Sequence, residues 1–284
     1  MKTANSKAFS LLELLVIIAI MVLLMSIVAP TLAKIQQQAR QTACGTNLHG
    51  LSQAMQLYGQ NGQGLFPAIC SMSENGSMYL FNPANRTAAP STTGIPSPTV
   101  DLWAIVRRAY TVPKQFLCPA TKDEGDPAQD PLAYYDFQEL TNLSYGYQYQ
   151  HDPDVGILGP DSDPMSPLMA DGNPYIKGGI SPTDFADDRM SRFRGNSRNH
   201  PNTAGQNVLY VSGHVVFERG PDIGLSGNVA TGLTISRGRD HCYTMHSSTP
   251  GAQVDYGIAA PTWTQPTSSG YCDLGSKSDA CLVP

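Results

Sequence analysis

The sequence predicts an α+β protein: one long N-terminal helix, partly transmembrane and partly amphipathic, packed on an antiparallel β-sheet whose strands are joined by long loops. Three observations predict it. An apolar run from Leu11 to Ala33 continues into a stretch with helical periodicity. Two β-branched and aromatic runs flank the tight-turn pair Ser212-Gly213. The 284 residues include 26 Gly and 22 Pro, so turns are many and strands short.

The helix comes first. Residues 1–8, MKTANSKA, form a short polar leader carrying Lys2 and Lys7. From Leu11 to Ala33 the only charge is Glu13. That run is long enough to cross a bilayer core of about 30 Å at about 1.5 Å per residue. A secretory signal peptide would have a shorter apolar region followed by a small-residue cleavage site. Leu48, Leu51, Met55 and Tyr58 then recur at helical spacing, with Cys44 on the same face. One helix is therefore predicted over residues 9–58, helical from about Ser10, with a lipid-facing anchor at 9–33. Its amphipathic half, 34–58, underlies a globular domain at 59–284. Gly62, Gly64 and Pro67 end it.

In the body, residues 101–110 predict a short helix, and residues 82–98 and 121–131 read as loops. Residues 166–171 and 231–237 are strand candidates, and residues 207–219 form the clearest hairpin. A helix on an antiparallel sheet follows. No internal repeat is evident.

Composition narrows the function classes. Charged residues are 14% of the chain, against about 25% in ordinary soluble domains. A formal charge of −5 and a pI near 5.6 lack the basic face of a nucleic-acid binder. There is no GxSxG, HExxH or phosphate-binding glycine loop, so no catalytic residue is named and an enzyme is not expected. Six cysteines, none in CxxC spacing, are compatible with up to three disulfides in an exported chain. Cys272 and Cys281 are close enough in sequence to close a small loop.

Three clusters invite a ligand. Asp152, Asp154, Asp161 and Asp163 offer hard oxygen donors of the kind that hold Ca²⁺, although DPD and DSDP are also ordinary turn sequences. Arg189, Arg192, Arg194 and Arg198 suit an anion; Asp187 and Asp188 are equally ready partners for them. His241, Cys242 and His246 suggest zinc, while a disulfide at Cys242 is the simpler expectation. No cofactor is expected, Ca²⁺ being the one metal ion weighed, at Asp161 and Asp163.

Glu13 is the anomaly of the apolar run. A carboxylate within a membrane helix costs at least about 2.5 kcal/mol and usually has a partner. Ser10-Leu11-Leu12-Glu13 fits a capping box, in which Glu13 accepts from the free N–H at the helix start. The wider pattern, a short basic leader, then Phe-Ser-Leu-Leu-Glu, then an unbroken apolar stretch, resembles the prepilin signature of type IV pilins and type II secretion pseudopilins. That resemblance implies cleavage by a prepilin peptidase between Ala8 and Phe9 and methylation of the new amine. It also implies that Glu13 pairs with the N-terminal amine of a neighbouring subunit during assembly. Pro30 falls where many pilins carry a helix-kinking proline. Ala8 stands where the family usually has Gly. Cleavage would remove Lys2 and Lys7 and take the formal charge from −5 to −7.

A narrower resemblance covers the body. The segment CGTNLHGLSQAMQLYGQNGQGLFP, together with residues 116–120, 143–147, 168–172 and 200–215, is similar to large bacterial pilin-like proteins named for a C-terminal H-(X)9-DG motif. Here eleven residues separate His200 from Ser212-Gly213, and Ser212 stands where Asp is expected. Major pseudopilins of type II secretion use a bound Ca²⁺ to order a loop, which is what the prepilin resemblance lends to Asp161 and Asp163.

The expectation is a structural filament subunit, in a pilus or a type II secretion pseudopilus. Its partners would be copies of itself or other pilins, the prepilin peptidase and the membrane. It would cross the bacterial inner membrane once, with its C-terminal domain periplasmic or extracellular, or carried in a surface filament. The rival is a membrane-anchored binding or enzymatic domain that never polymerises. Glu13→Ala separates them, because a simple anchor has no need of the carboxylate.

Overall fold

The computed structural model describes residues 10–62, 64–69, 86–87, 89, 98–148, 150, 157–172, 196–200, 205–220, 223 and 282–283. The chain divides into two units, Met1–Arg40 and Gln41–Pro284.

The first element, α1, runs over Leu11–Asn61. Ser10 starts it as the capping pattern requires. Its carbonyl accepts from Leu14 N at 3.2 Å and its Oγ from Leu12 N at 3.3 Å. The large apolar side chains between Leu11 and Ile35 are exposed. Among the described residues, α1 is the one helix long and apolar enough to cross a membrane. The chain stays helical through Pro30, which has no N–H to offer the Ser26 carbonyl. On either side, Ser26 Oγ donates to Leu23 O at 2.7 Å and Thr31 Oγ1 to Val28 O at 2.8 Å. Both hydroxyls are thereby satisfied within the apolar segment.

α1 outlasts its predicted end at residue 58 by three residues. The Gly59 carbonyl accepts from the N–H groups of Gly62 (3.3 Å) and Gly64 (3.0 Å), and Gly64 sits at φ +77°. This left-handed residue is the stop signal, so the glycines rather than the last apolar residue fix the boundary.

Within the second unit, Cys44, Leu48, Leu51 and Met55 of α1 enter one core. They meet Leu102, Trp103, Ile105 and Val106 of α2 (Pro98–Arg107) and Phe116, Phe137, Tyr145, Tyr147, Met169 and Leu209. The Trp103 ring stands edge-on to Phe137 at 4.9 Å, and its indole N–H donates to Tyr134 O at 2.9 Å, so its polar end is not stranded. α2 begins and ends three residues before the predicted 101–110. Ala109 at φ +56° turns the chain out of the helix, and Tyr110 N donates back to Ile105 O. Residues 122–130 carry neither helix nor strand, matching the predicted loop.

The sheet is antiparallel, in the order β4-β3-β2-β1-β5. Its strands are β1 (Tyr145–Gln148), β2 (Pro167–Asp171), β3 (Gln206–Tyr210), β4 (Val215–Glu218) and the two-residue β5 (Leu282–Val283). The predicted hairpin is β3–β4, with Gly213 at φ +87° in its turn and Tyr210 N donating to His214 O at 3.0 Å. β2 is the predicted strand at 166–171. β1 and β5 were not anticipated as strands. β1 to β3 are wholly buried, whereas β4 is a half-exposed edge. Hydrogen bonds tie α1 to the sheet side of this unit: Asn207 Nδ2 donates to Gln41 O, Gln56 Nε2 to Val211 O and Tyr145 OH to Cys44 O. The expected α+β layout is therefore present. The strand candidate at 231–237 and the Cys272–Cys281 loop lie outside the described residues.

Candidate functional site

Among the described residues, two places bear on the expected sites. One is the start of α1. Glu13 Oε2 accepts from the Ser10 backbone N–H at 2.9 Å. Within a single chain, Glu13 therefore makes the capping contact that its spacing from Ser10 allows. Ala8 and Phe9, the expected cleavage pair, lie outside the described residues.

The other is buried beneath the sheet's second and third strands. Asp171 ends β2 with no exposed surface, and His200, 3% exposed, precedes β3. Asp171 Oδ2 accepts from His200 Nε2 at 2.9 Å, from Asn207 N at 2.6 Å and from Asn207 Nδ2 at 3.2 Å. Its Oδ1 accepts from Asn199 Nδ2 at 3.3 Å. Such a set of donors is what a buried carboxylate requires. Asn199 Nδ2 also donates to Ser144 O, and Ser197 Oγ to Gly172 O, so the stretch before β3 is stitched to β1 and β2. His200 Nδ1 has no hydrogen-bond partner among the described residues.

The Cys44–Cys118 disulfide adjoins this network. It joins α1 to the segment after the 3₁₀ turn Pro113–Phe116, across 74 residues of sequence. Tyr145 closes the junction: its hydroxyl donates to Cys44 O at 3.3 Å and Leu117 O at 3.4 Å. Burial, helped by the Asp171 carboxylate, pushes this phenol well above the usual tyrosine range. It remains a donor at any ordinary pH. Cys44, Cys118, Asp171 and His200 are all buried, and they join α1, the segment after the 3₁₀ turn, β2 and the stretch before β3 by a cross-link and hydrogen bonds.

Of the other predicted candidates, the structure describes Asp161, Asp163 and Arg198. Asp161 and Asp163 are both exposed. Asp163 Oδ1 accepts from Met165 N at 2.8 Å, which is the turn-forming contact of a solvated loop. Arg198 is exposed. Asp152, Asp154, Arg189, Arg192, Arg194, His241, Cys242 and His246 lie outside the described residues. Sequence reasoning singled out His200 and its spacing to the Ser212-Gly213 turn. The partner that the structure gives His200 is Asp171, in the 168–172 segment, while Ser212 Oγ contacts His214 Nδ1 instead. A signal for Asp171 existed: an acidic residue closing the apolar strand PLMAD is expensive unless it is paired.

No family model, no curated protein and no solved structure matches the chain.

Proposed function

We propose that the protein is a subunit of a type IV pilus-like or type II secretion pseudopilus filament, processed between Ala8 and Phe9 and assembled through α1. The observation that carries this reading is the exposed apolar stretch Leu11–Ile35, continuous with core-forming residues of a folded domain and holding a single carboxylate, Glu13, in its first turn. Such a surface needs lipid, or copies of itself, to cover it. In a filament both are supplied in turn, and Glu13 finds a cationic partner in the next subunit's amine.

The Ser10–Glu13 bond favours a second reading. A capping contact gives Glu13 work within one chain, as a plain membrane anchor with a non-polymerising body would need. Intact mass and N-terminal sequencing of protein from membranes and from sheared surface material test the first reading. A chain beginning at Phe9 with an N-methylated amine in the sheared fraction is the expected result. A chain beginning at Met1 and confined to membranes would overturn it in favour of the anchored body.

A further inference from the structure

We propose that Cys44, Cys118, Asp171 and His200 form a zinc site in the reduced chain, so that this junction is held either by a metal ion or by the disulfide. The potential ligand atoms of the four residues lie within 4.8 Å of one another and all four residues are buried. Two thiolates, one imidazole and one carboxylate make a closed four-ligand set of the type Zn²⁺ takes in structural sites. Zinc–ligand bonds of about 2.0–2.3 Å in a tetrahedron place ligand atoms roughly 3.3–3.8 Å apart. Opening the S–S bond lets the two sulfurs part to that spacing, and the widest separation in the set, at most 4.8 Å, has to close by only about 1 Å.

Two further observations point the same way. The Asp171 carboxylate is already oriented by Asn207 N and Asn199 Nδ2, the kind of support that metal-bound carboxylates have. His200 is itself buried, and its Nε2 lies 2.9 Å from Asp171 Oδ2, so the imidazole and the carboxylate already converge on one point. Metal binding uses the imidazole as a ligand and replaces the His200–Asp171 hydrogen bond with two bonds to one ion.

The exchange balances. Zinc binding to the two thiols releases two protons. A disulfide oxidant RSSR then accepts two electrons from the two zinc-bound thiolates; with two protons it leaves as 2 RSH. The Cys44–Cys118 bond forms and Zn²⁺ departs. The ion would hold α1, the 118 segment, β2 and the stretch before β3 together until oxidation makes the link permanent.

The test uses the full chain in detergent, reduced and titrated with Co²⁺ as a spectroscopic stand-in for zinc. The expected result is one Co²⁺ per chain with thiolate-to-cobalt charge-transfer and tetrahedral ligand-field bands. These bands are absent from the oxidised chain and from Cys44→Ser/Cys118→Ser, and His200→Gln weakens binding at least tenfold. Bands that survive in the double variant would overturn the proposal, since other cysteines would then hold the metal. So would a reduced wild-type chain that binds none, whether it keeps or loses its near-ultraviolet circular dichroism. Should the variants fail to fold, alkylation of the reduced wild type decides: zinc must protect Cys44 and Cys118, and equal labelling with and without zinc overturns the site.

Discussion

The backbone N–H of Ser10 donates to Glu13 Oε2 at 2.9 Å, so the one carboxylate of the apolar span is engaged at the start of its own helix. A cap needs an oxygen acceptor, whereas an intersubunit ion pair needs the negative charge. Glu13→Gln keeps the first and removes the second. In the filament reading, Glu13→Gln inserts into membranes as wild type does but loses at least nine-tenths of the sheared surface material. Unchanged surface material would assign Glu13 to capping alone. Glu13→Ala, which removes both roles, serves as the comparison.

Cys44 and Cys118 close a loop of 74 residues, for which chain-entropy arguments give about 4 kcal/mol of stabilisation. Cys44→Ala/Cys118→Ala is expected to lower the urea unfolding free energy of the body by about that amount. Trp103, buried beside Phe137, provides a fluorescence signal for the transition. A loss below about 1 kcal/mol would show that apolar packing already holds this part of α1.

Asp136 is buried, and its Oδ1 accepts from Phe137 N at 2.8 Å. Burial pushes its carboxyl up to about 7, despite the Thr99 and Phe137 hydrogen bonds, which oppose the shift. The folded state therefore holds this proton more tightly than the unfolded chain, whose carboxyl titrates near 3.8. Its contribution to stability is complete below about 3.8 and is lost as pH rises through about 7. Asp136→Asn cannot ionise, so its stability relative to wild type should improve between pH 4 and pH 8, by roughly 2–4 kcal/mol. Parallel denaturation curves at both pH values check it; a constant difference would place the titration elsewhere.

Gly205 enters β3 at φ +148°, and a Cβ built there would lie 2.1 Å from Glu218 O. That oxygen belongs to the backbone of β4 and cannot swing aside. Gly205→Ala should cost about 3 kcal/mol or more, through strain and loss of the β3–β4 pairing. Gly220→Ala, where a Cβ meets open space, should stay within about 0.5 kcal/mol of wild type. Thermal melts of the two variants, one at each end of the β3–β4 hairpin, separate local crowding from a general loss of glycine flexibility.

The elements most legible in the sequence were those specified by neighbouring residues. α1 follows from its apolar run and its closing glycines, and β3–β4 from two apolar runs about a Ser-Gly turn. β1 was less legible: YGYQ is four residues with a glycine inside, and it is a strand because β2 pairs along it. β5, at two residues, has even less local signal. The junction escaped altogether as a unit. Cys44 and Cys118 are 74 residues apart, and six cysteines leave many pairings open. Asp171 and His200 are 29 positions apart and meet only because β2 and β3 lie side by side. His200 was visible as part of a motif; its buried carboxylate partner required the topology.

Cys44 is the first buried residue met along α1 from its N-terminal end. Tension applied through that end reaches a covalent rivet before it can shear Leu48, Leu51 or Met55 out of their packing. The rivet leads the load into the Leu117–Cys118 backbone, where Asn47 Nδ2 and Tyr145 OH already grip the Leu117 carbonyl. A pull on the anchor is thus spread over two chain segments at once, and in the oxidised protein α1 cannot be peeled from its domain by rupturing apolar contacts one after another.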